Sequence, residues 1–186
     1  QLLAESLENN DIDLQIIFTY LEEVHQIAST GIALRGTTPF GAIDHDTFII
    51  NLEAMELETT KTEDDIIQYL RIPRPSYENG ILIKVNDGQL VYGMHFPKAT
   101  NQAEMYLKHI AEAVNLKHQY TITSGSTDAK SFSLFPLSPN IATIVVPCKW
   151  KHNIGSEGEF VPEEIYEHDL DNALALLRNL VEGISN

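Results

Sequence analysis

Several apolar runs in this chain end on residues that can ligate a metal or move a proton. The run Ile16-Ile17-Phe18-Thr19-Tyr20-Leu21 closes on the adjacent carboxylates Glu22 and Glu23. Thr47-Phe48-Ile49-Ile50-Asn51-Leu52 closes on Glu53. Ile141-Ala142-Thr143-Ile144-Val145-Val146 is followed by Pro147-Cys148-Lys149-Trp150-Lys151 and then His152. A fourth run, from His118 to Thr123, leads through Ser124-Gly125-Ser126 to Thr127 and Asp128. Carboxylates with histidine and no thiolate suit a hydrolytic zinc, manganese or cobalt site. Such a site lowers the pKa of bound water and polarises a carbonyl, while a nearby free carboxylate shuttles the proton. Glu22 beside Glu23 fits that division: one can ligate a metal while the other holds a water. Each residue also has a plainer reading: solvated strand ends for the glutamates, helix caps for Thr127 and Asp128, and a surface histidine.

Elements must bring these residues together. Continuous apolar, β-branched runs read as strands buried on both faces, which is the pattern of a parallel sheet. Ligands in open α/β sheets sit beyond the carboxyl ends of such strands. Strands are therefore expected near 14–20, 47–53 and 141–147, neighbouring one another, with all the candidate residues along one sheet edge. Ile81-Leu82-Ile83-Lys84-Val85 and Gln89-Leu90-Val91-Tyr92 flank Asn86-Asp87-Gly88 as a hairpin would. Helices are expected at the very start of the chain (2–8), as one short piece between the loops of the mixed stretch 25–46, from Thr62 to Leu70, from Thr100, and in a short piece bearing Phe132 and Phe135. In the helix from Thr100, Ala103, Leu107, Ile110, Ala111 and Val114 form one apolar stripe. A last helix at 169–183 carries Leu170, Ala173, Leu174, Leu177, Leu180 and Val181 on one face. Strands alternating with helices give an α/β class, a mostly parallel sheet flanked by helices, in a single domain over 1–186.

The 186 residues are enough for one full core. A net charge of -15, from 27 acidic against 12 basic residues, argues against nucleic acid and anionic membranes as partners. The single cysteine excludes an intrachain disulfide and a cysteine-based zinc site. No apolar run approaches a membrane span, and no signal-peptide shape opens the chain. A cytoplasmic protein is expected. The start, without Met and inside an amphipathic pattern, suggests a piece of something longer.

Four segments, in order, resemble the C-terminal half of the glutamyl and leucyl aminopeptidases of the tetrahedral-aminopeptidase type, which are co-catalytic zinc metallopeptidases. Phe18-Thr19-Tyr20-Leu21-Glu22-Glu23-Val24 looks like that family's strand followed by Gln-Glu-Glu-Val. Ile50-Asn51-Leu52-Glu53 sits where the family has a strand ending in an Asp or Glu ligand. Gly125-Ser126-Thr127-Asp128-Ala129 looks like its Gly-Gly-Thr-Asp-Ala turn, and Val146 to His152 like its Pro-x-Arg-Tyr-x-His segment. The resemblance implies half of a phosphorylase/hydrolase-like catalytic domain that releases N-terminal residues from peptides using two zinc ions, or cobalt or manganese. It makes Glu22 the general base, and Glu23, Glu53 and His152 metal ligands. Thr127 and Asp128 become part of the substrate-binding wall. It allows a homo-oligomer.

The departures are specific. Glu-Glu-Val is followed by His25-Gln26-Ile27-Ala28 where the family has Gly-Leu-Arg-Gly, and Lys149 and Trp150 replace the family's Arg and Tyr. The family's His-x-Asp pair and bridging Asp lie upstream of the Glu-Glu turn, and none of the seven histidines here is followed two positions later by Asp. The chain alone is therefore expected to bind metal weakly and to be inactive or poorly active. Two other readings stay open: a non-catalytic peptidase-like scaffold that binds a peptide or partner, and an aminoacylase- or deacetylase-type amidohydrolase.

Overall fold

The computed structural model describes residues 13–19, 23, 26–57, 61–71, 73–84, 102–121, 127–135 and 137–184. In chain order the elements are helix α1 (Ile27–Arg35), strands β1 (Thr37–Thr38), β2 (Gly41–Ala42) and β3 (Ile49–Glu56), helix α2 (Lys61–Leu70), strand β4 (Ile81–Lys84), helix α3 (Gln102–Ala113), strand β5 (His118–Thr121), helix α4 (Ala129–Leu134), strands β6 (Ile141–Lys149) and β7 (Glu164–Ile165), and helix α5 (Glu167–Ile184). The fold is α/β, with one mixed five-stranded sheet flanked by helices and a separate two-stranded ribbon, β1 with β2.

β6 is the centre of the sheet because its β-branched residues are buried on both faces. It pairs in parallel with β3 and antiparallel with β4 and β7, and β5 runs parallel to β4. Pro147 stands between the end of the β4 pairing at Val145 and the start of the β7 pairing at Cys148. On that side a residue without an N–H interrupts no ladder. On one face Ile81, Ile83, Ala142, Ile144 and Val146 pack against Ala103, Leu107, Ile110 and Ala111 of α3 and Ala173, Leu176 and Leu180 of α5. Each fully buried Leu or Ile in that layer contributes about 1.5–3 kcal/mol. On the opposite face Lys84 and Thr143 are buried, as is a small cluster of Met55, Leu82 and Val145.

Several expectations change. Of the strand expected at 14–20, residues 14–19 form none: 13–19 lie outside the sheet, with Ile16 41%, Ile17 37% and Phe18 92% exposed, and Tyr20 lies outside the described residues. An apolar, β-branched stretch becomes a strand only where a neighbour completes its ladder, and among the described residues β3 has β6 on one side and nothing on the other. β3 runs on past Glu53 to Glu56, because its register with β6 continues to Glu56 opposite Cys148. β5 points opposite to β3 and β6, so its carboxyl end lies at the other edge of the sheet. The candidate residues therefore do not all follow strands of one sense. In α5 the inward position falls to Leu176, while Leu174 is 40% exposed, and in the stripe that follows Thr100, Val114 is 42% exposed. The helix at 2–8, Thr100 itself and the hairpin's second strand lie outside the described residues. Among the described residues, no helix is long and apolar enough to cross a membrane.

Candidate functional site

The end of β6 is turned sharply. Trp150, His152 and Asn153 all have left-handed backbones, with φ of 59°, 60° and 60°. Non-glycine residues held this way cost of order 1 kcal/mol each and cluster where the chain must aim a side chain. Backbone bonds from both flanks hold the turn. The Trp150 N–H donates to Glu56 Oε1 at 3.2 Å, from the last residue of β3. The His152 N–H donates to Glu163 Oε2 at 3.3 Å, and the Glu163 N–H donates back to Asn153 Oδ1 at 3.1 Å. So fixed, the imidazole meets Glu23: His152 Nε2 lies 3.3 Å from Glu23 Oε1. Two residues far apart in sequence thus come together.

The other candidates are placed differently. Glu22 lies outside the described residues. Glu53 is half-buried within β3, opposite Val145, and its Oε1 accepts the Ala54 N–H at 3.3 Å. It stands about 10 Å of strand short of Glu56. Thr127 is buried, and its hydroxyl accepts the Ala129 N–H at 3.3 Å. Asp128 is 5% exposed and is bonded through its side chain to Ser29 and Thr19.

Glu23 and His152 were tested as a metal site on their own geometry. Two ligands of a tetrahedral zinc ion stand ~3.4 Å apart when their bonds are ~2.1 Å, which their 3.3 Å separation matches. Among the described residues, however, no three His, Cys, Asp or Glu side chains converge closely enough to hold an ion. The described donors fit part of a site and not a whole one. Cys148 adds nothing to the donor set: burial first, and then Glu163, push its thiol up to about 12, so it stays protonated. Beside it Lys149 Nζ donates to Tyr166 Oη at 2.7 Å and lies over the rings of Tyr77 and Tyr166. The Tyr166 hydroxyl is the main cause that raises the Lys149 ammonium above its usual range, so Lys149 keeps its charge.

Sequence reasoning missed Glu56 and Glu163, which hold the His152 turn, and Ser29, which bonds Asp128. Glu56 was hidden because the apolar run stops at Leu52. Ser29 sits in a Ser-Thr-Gly stretch that reads as a loop.

No protein-family model matches the chain, and no curated sequence matches it. Solved structures do. The PhTET1-12s dodecamer superposes with a TM-score of 0.58 at 18% identity, over 97% of this chain and 46% of its own. The aminopeptidase APDkam598 of the archaeon Desulfurococcus kamchatkensis gives 0.59 at 22% identity, over 88% and 39%. The TET1 peptidase of Pyrococcus horikoshii, which can assemble into a tetrahedron or a large octahedral shell, gives 0.56 at 19% identity, over 88% and 39%. This chain therefore has the fold of the tetrahedral aminopeptidases. It spans less than half the length of these neighbours.

Proposed function

We propose that the chain is the C-terminal part of the catalytic domain of a metal-dependent aminopeptidase-like hydrolase, which releases N-terminal residues from peptides. The contact between Glu23 and His152 carries this reading, since it joins two residues that the family resemblance makes metal ligands. Glu23 and His152 would share an ion, with Glu53 as the ligand on the neighbouring strand and Thr127 and Asp128 in the cleft wall. The remaining donors would come from segments upstream of this chain. Zinc, cobalt or manganese bound there would supply a polarised water, and Glu22 would take its proton. A homo-oligomer fits the same reading, because one neighbour is a dodecamer and another can assemble into a tetrahedron or a large octahedral shell.

The test is a substrate panel on the protein expressed with its upstream sequence and supplied with zinc, cobalt or manganese. Turnover of leucyl or glutamyl anilides is expected. Glu23→Gln and His152→Ala should each lower kcat/KM by about 100-fold or more, as loss of a metal ligand does. Preference for N-acyl amino acids would move the protein to the amidohydrolases. Peptide binding without turnover in every metal would leave a peptidase-like scaffold.

A further inference from the structure

We infer that Asp128 is a positioning residue that ties Thr19 and Ser29, on either side of Glu23 in the chain, to the start of α4. The inference deepens the proposed function and rests on it for the chemical importance of Glu23. Asp128 occupies the N-cap position of α4, yet its carboxylate makes no capping bond to that helix. A capping aspartate normally accepts from the helix's own first-turn N–H groups. Here both oxygens are used elsewhere. Oδ2 accepts the hydroxyl of Thr19, just upstream of the glutamates, and Oδ1 accepts the hydroxyl of Ser29 at 2.6 Å, just downstream of them in α1.

The bonds continue behind it. The Ser131 hydroxyl lies 3.1 Å from Ser29 Oγ and 2.9 Å from Thr30 Oγ1. The Ser29 hydroxyl also reaches the Gln26 carbonyl at 3.0 Å and Ser131 Oγ at 3.1 Å, and its one proton goes to the shortest of these contacts, the 2.6 Å bond to Asp128. A hydroxyl that donates to a carboxylate makes a charge-assisted bond, stronger than one between neutral groups. Ser29, Asp128 and Ser131 are nearly or fully buried, so water does not compete for these bonds. Thr19 and Ser29 are thus held by one side chain at the start of α4. Both carboxylate oxygens accept a hydroxyl, and the effect on chemistry would pass through where Glu23 stands.

The experiment is hydrogen exchange on the full 186-residue chain, read separately over the two arms, residues 13–19 and 27–35, and over β6, α3 and α5. Asp128→Ala should speed exchange in both arms by about tenfold or more, the loss of charge-assisted bonds, and leave the sheet and its two long helices protected. Asp128→Asn should recover part of the protection, since its amide accepts from one hydroxyl and donates to the other. Thr19→Val should loosen only the upstream arm and Ser29→Ala only the downstream one. Ser133→Ala, on the same helix but bonded only to the Lys130 carbonyl, should do neither. Thr19 is exposed, so its variant folds even if the Asp128 variants do not. Exchange that rises equally across β6, α3 and α5, or does not rise in the arms, would overturn the clamp. Loosened arms in a protein that never turns over a peptide would support the clamp and count against the proposed function alone.

Discussion

Titrating zinc into the chain separates a metal-binding pair from an ordinary ion pair. The Glu23 and His152 side chains are 63% and 48% exposed, so as an ion pair they stabilise the fold by at most ~1 kcal/mol. As ligands they act on a different scale. A four-ligand zinc site binds with about 10–16 kcal/mol, so two ligands in place supply roughly half, ~5–8 kcal/mol, or a Kd between about 200 μM and 1 μM. At ~1 mM zinc that stabilises the fold by about 1–4 kcal/mol. For a chain of this size the melting temperature then rises by about 2–16 °C. Glu23→Gln or His152→Ala leaves a single ligand, and the rise should fall below ~1 °C. The assay is a thermal melt with and without zinc, beside calorimetry. A rise that survives in both variants would show that the pair is not the site. A Kd far below ~1 μM would show that this chain already holds the missing ligands, against the counting of donors above.

Other outcomes follow from the buried groups. Asp169 is fully buried, and its oxygens accept the N–H groups of Gly80 at 2.9 Å and Glu78 at 3.3 Å. Asp169→Ala should therefore cost ~2–4 kcal/mol in urea unfolding, while Asp169→Asn costs less; a loss under ~0.5 kcal/mol would refute that role. Gly80→Ala should do worse, because φ is +85° and a Cβ would stand 1.9 Å from the Lys117 carbonyl oxygen. The Cys148 thiol moves from an ordinary 9.0 to about 12. The folded state then keeps a proton that the unfolded state releases, so this contribution is complete below pH 9 and is lost as pH rises toward 12. Ellman's reagent at pH 8 should label Cys148 only after urea unfolding, and rapid labelling of the folded chain would contradict its burial.

Part of this protein is readable from the chain because the forces are local. The stripe at Ala103, Leu107, Ile110 and Ala111 declares a helix and its buried face together, since three or four residues return to the same side. The β-branched run at 141–146 and the final helix are legible for the same reason, and so is the α/β class that their alternation implies. The candidates Glu23 and His152 were chosen from residue type and order. Tertiary structure decided everything that depends on a distant partner. Ile16, Ile17 and Phe18 have the composition of a buried strand, but a strand needs a neighbour's hydrogen bonds, and no periodicity reports whether one is there. β3 ends at Glu56 and not at Glu53 because β6 keeps pairing with it. β5 runs against β6, a direction that no local pattern carries. Asp128 has the type and place of a helix cap, and only the packing of α1 against α4 turns its carboxylate to Ser29 and Thr19. The contact of Glu23 with His152 is of the same kind: the sequence names both residues, and the left-handed turn at the end of β6, held by Glu56 and Glu163, brings the imidazole within 3.3 Å of the carboxylate.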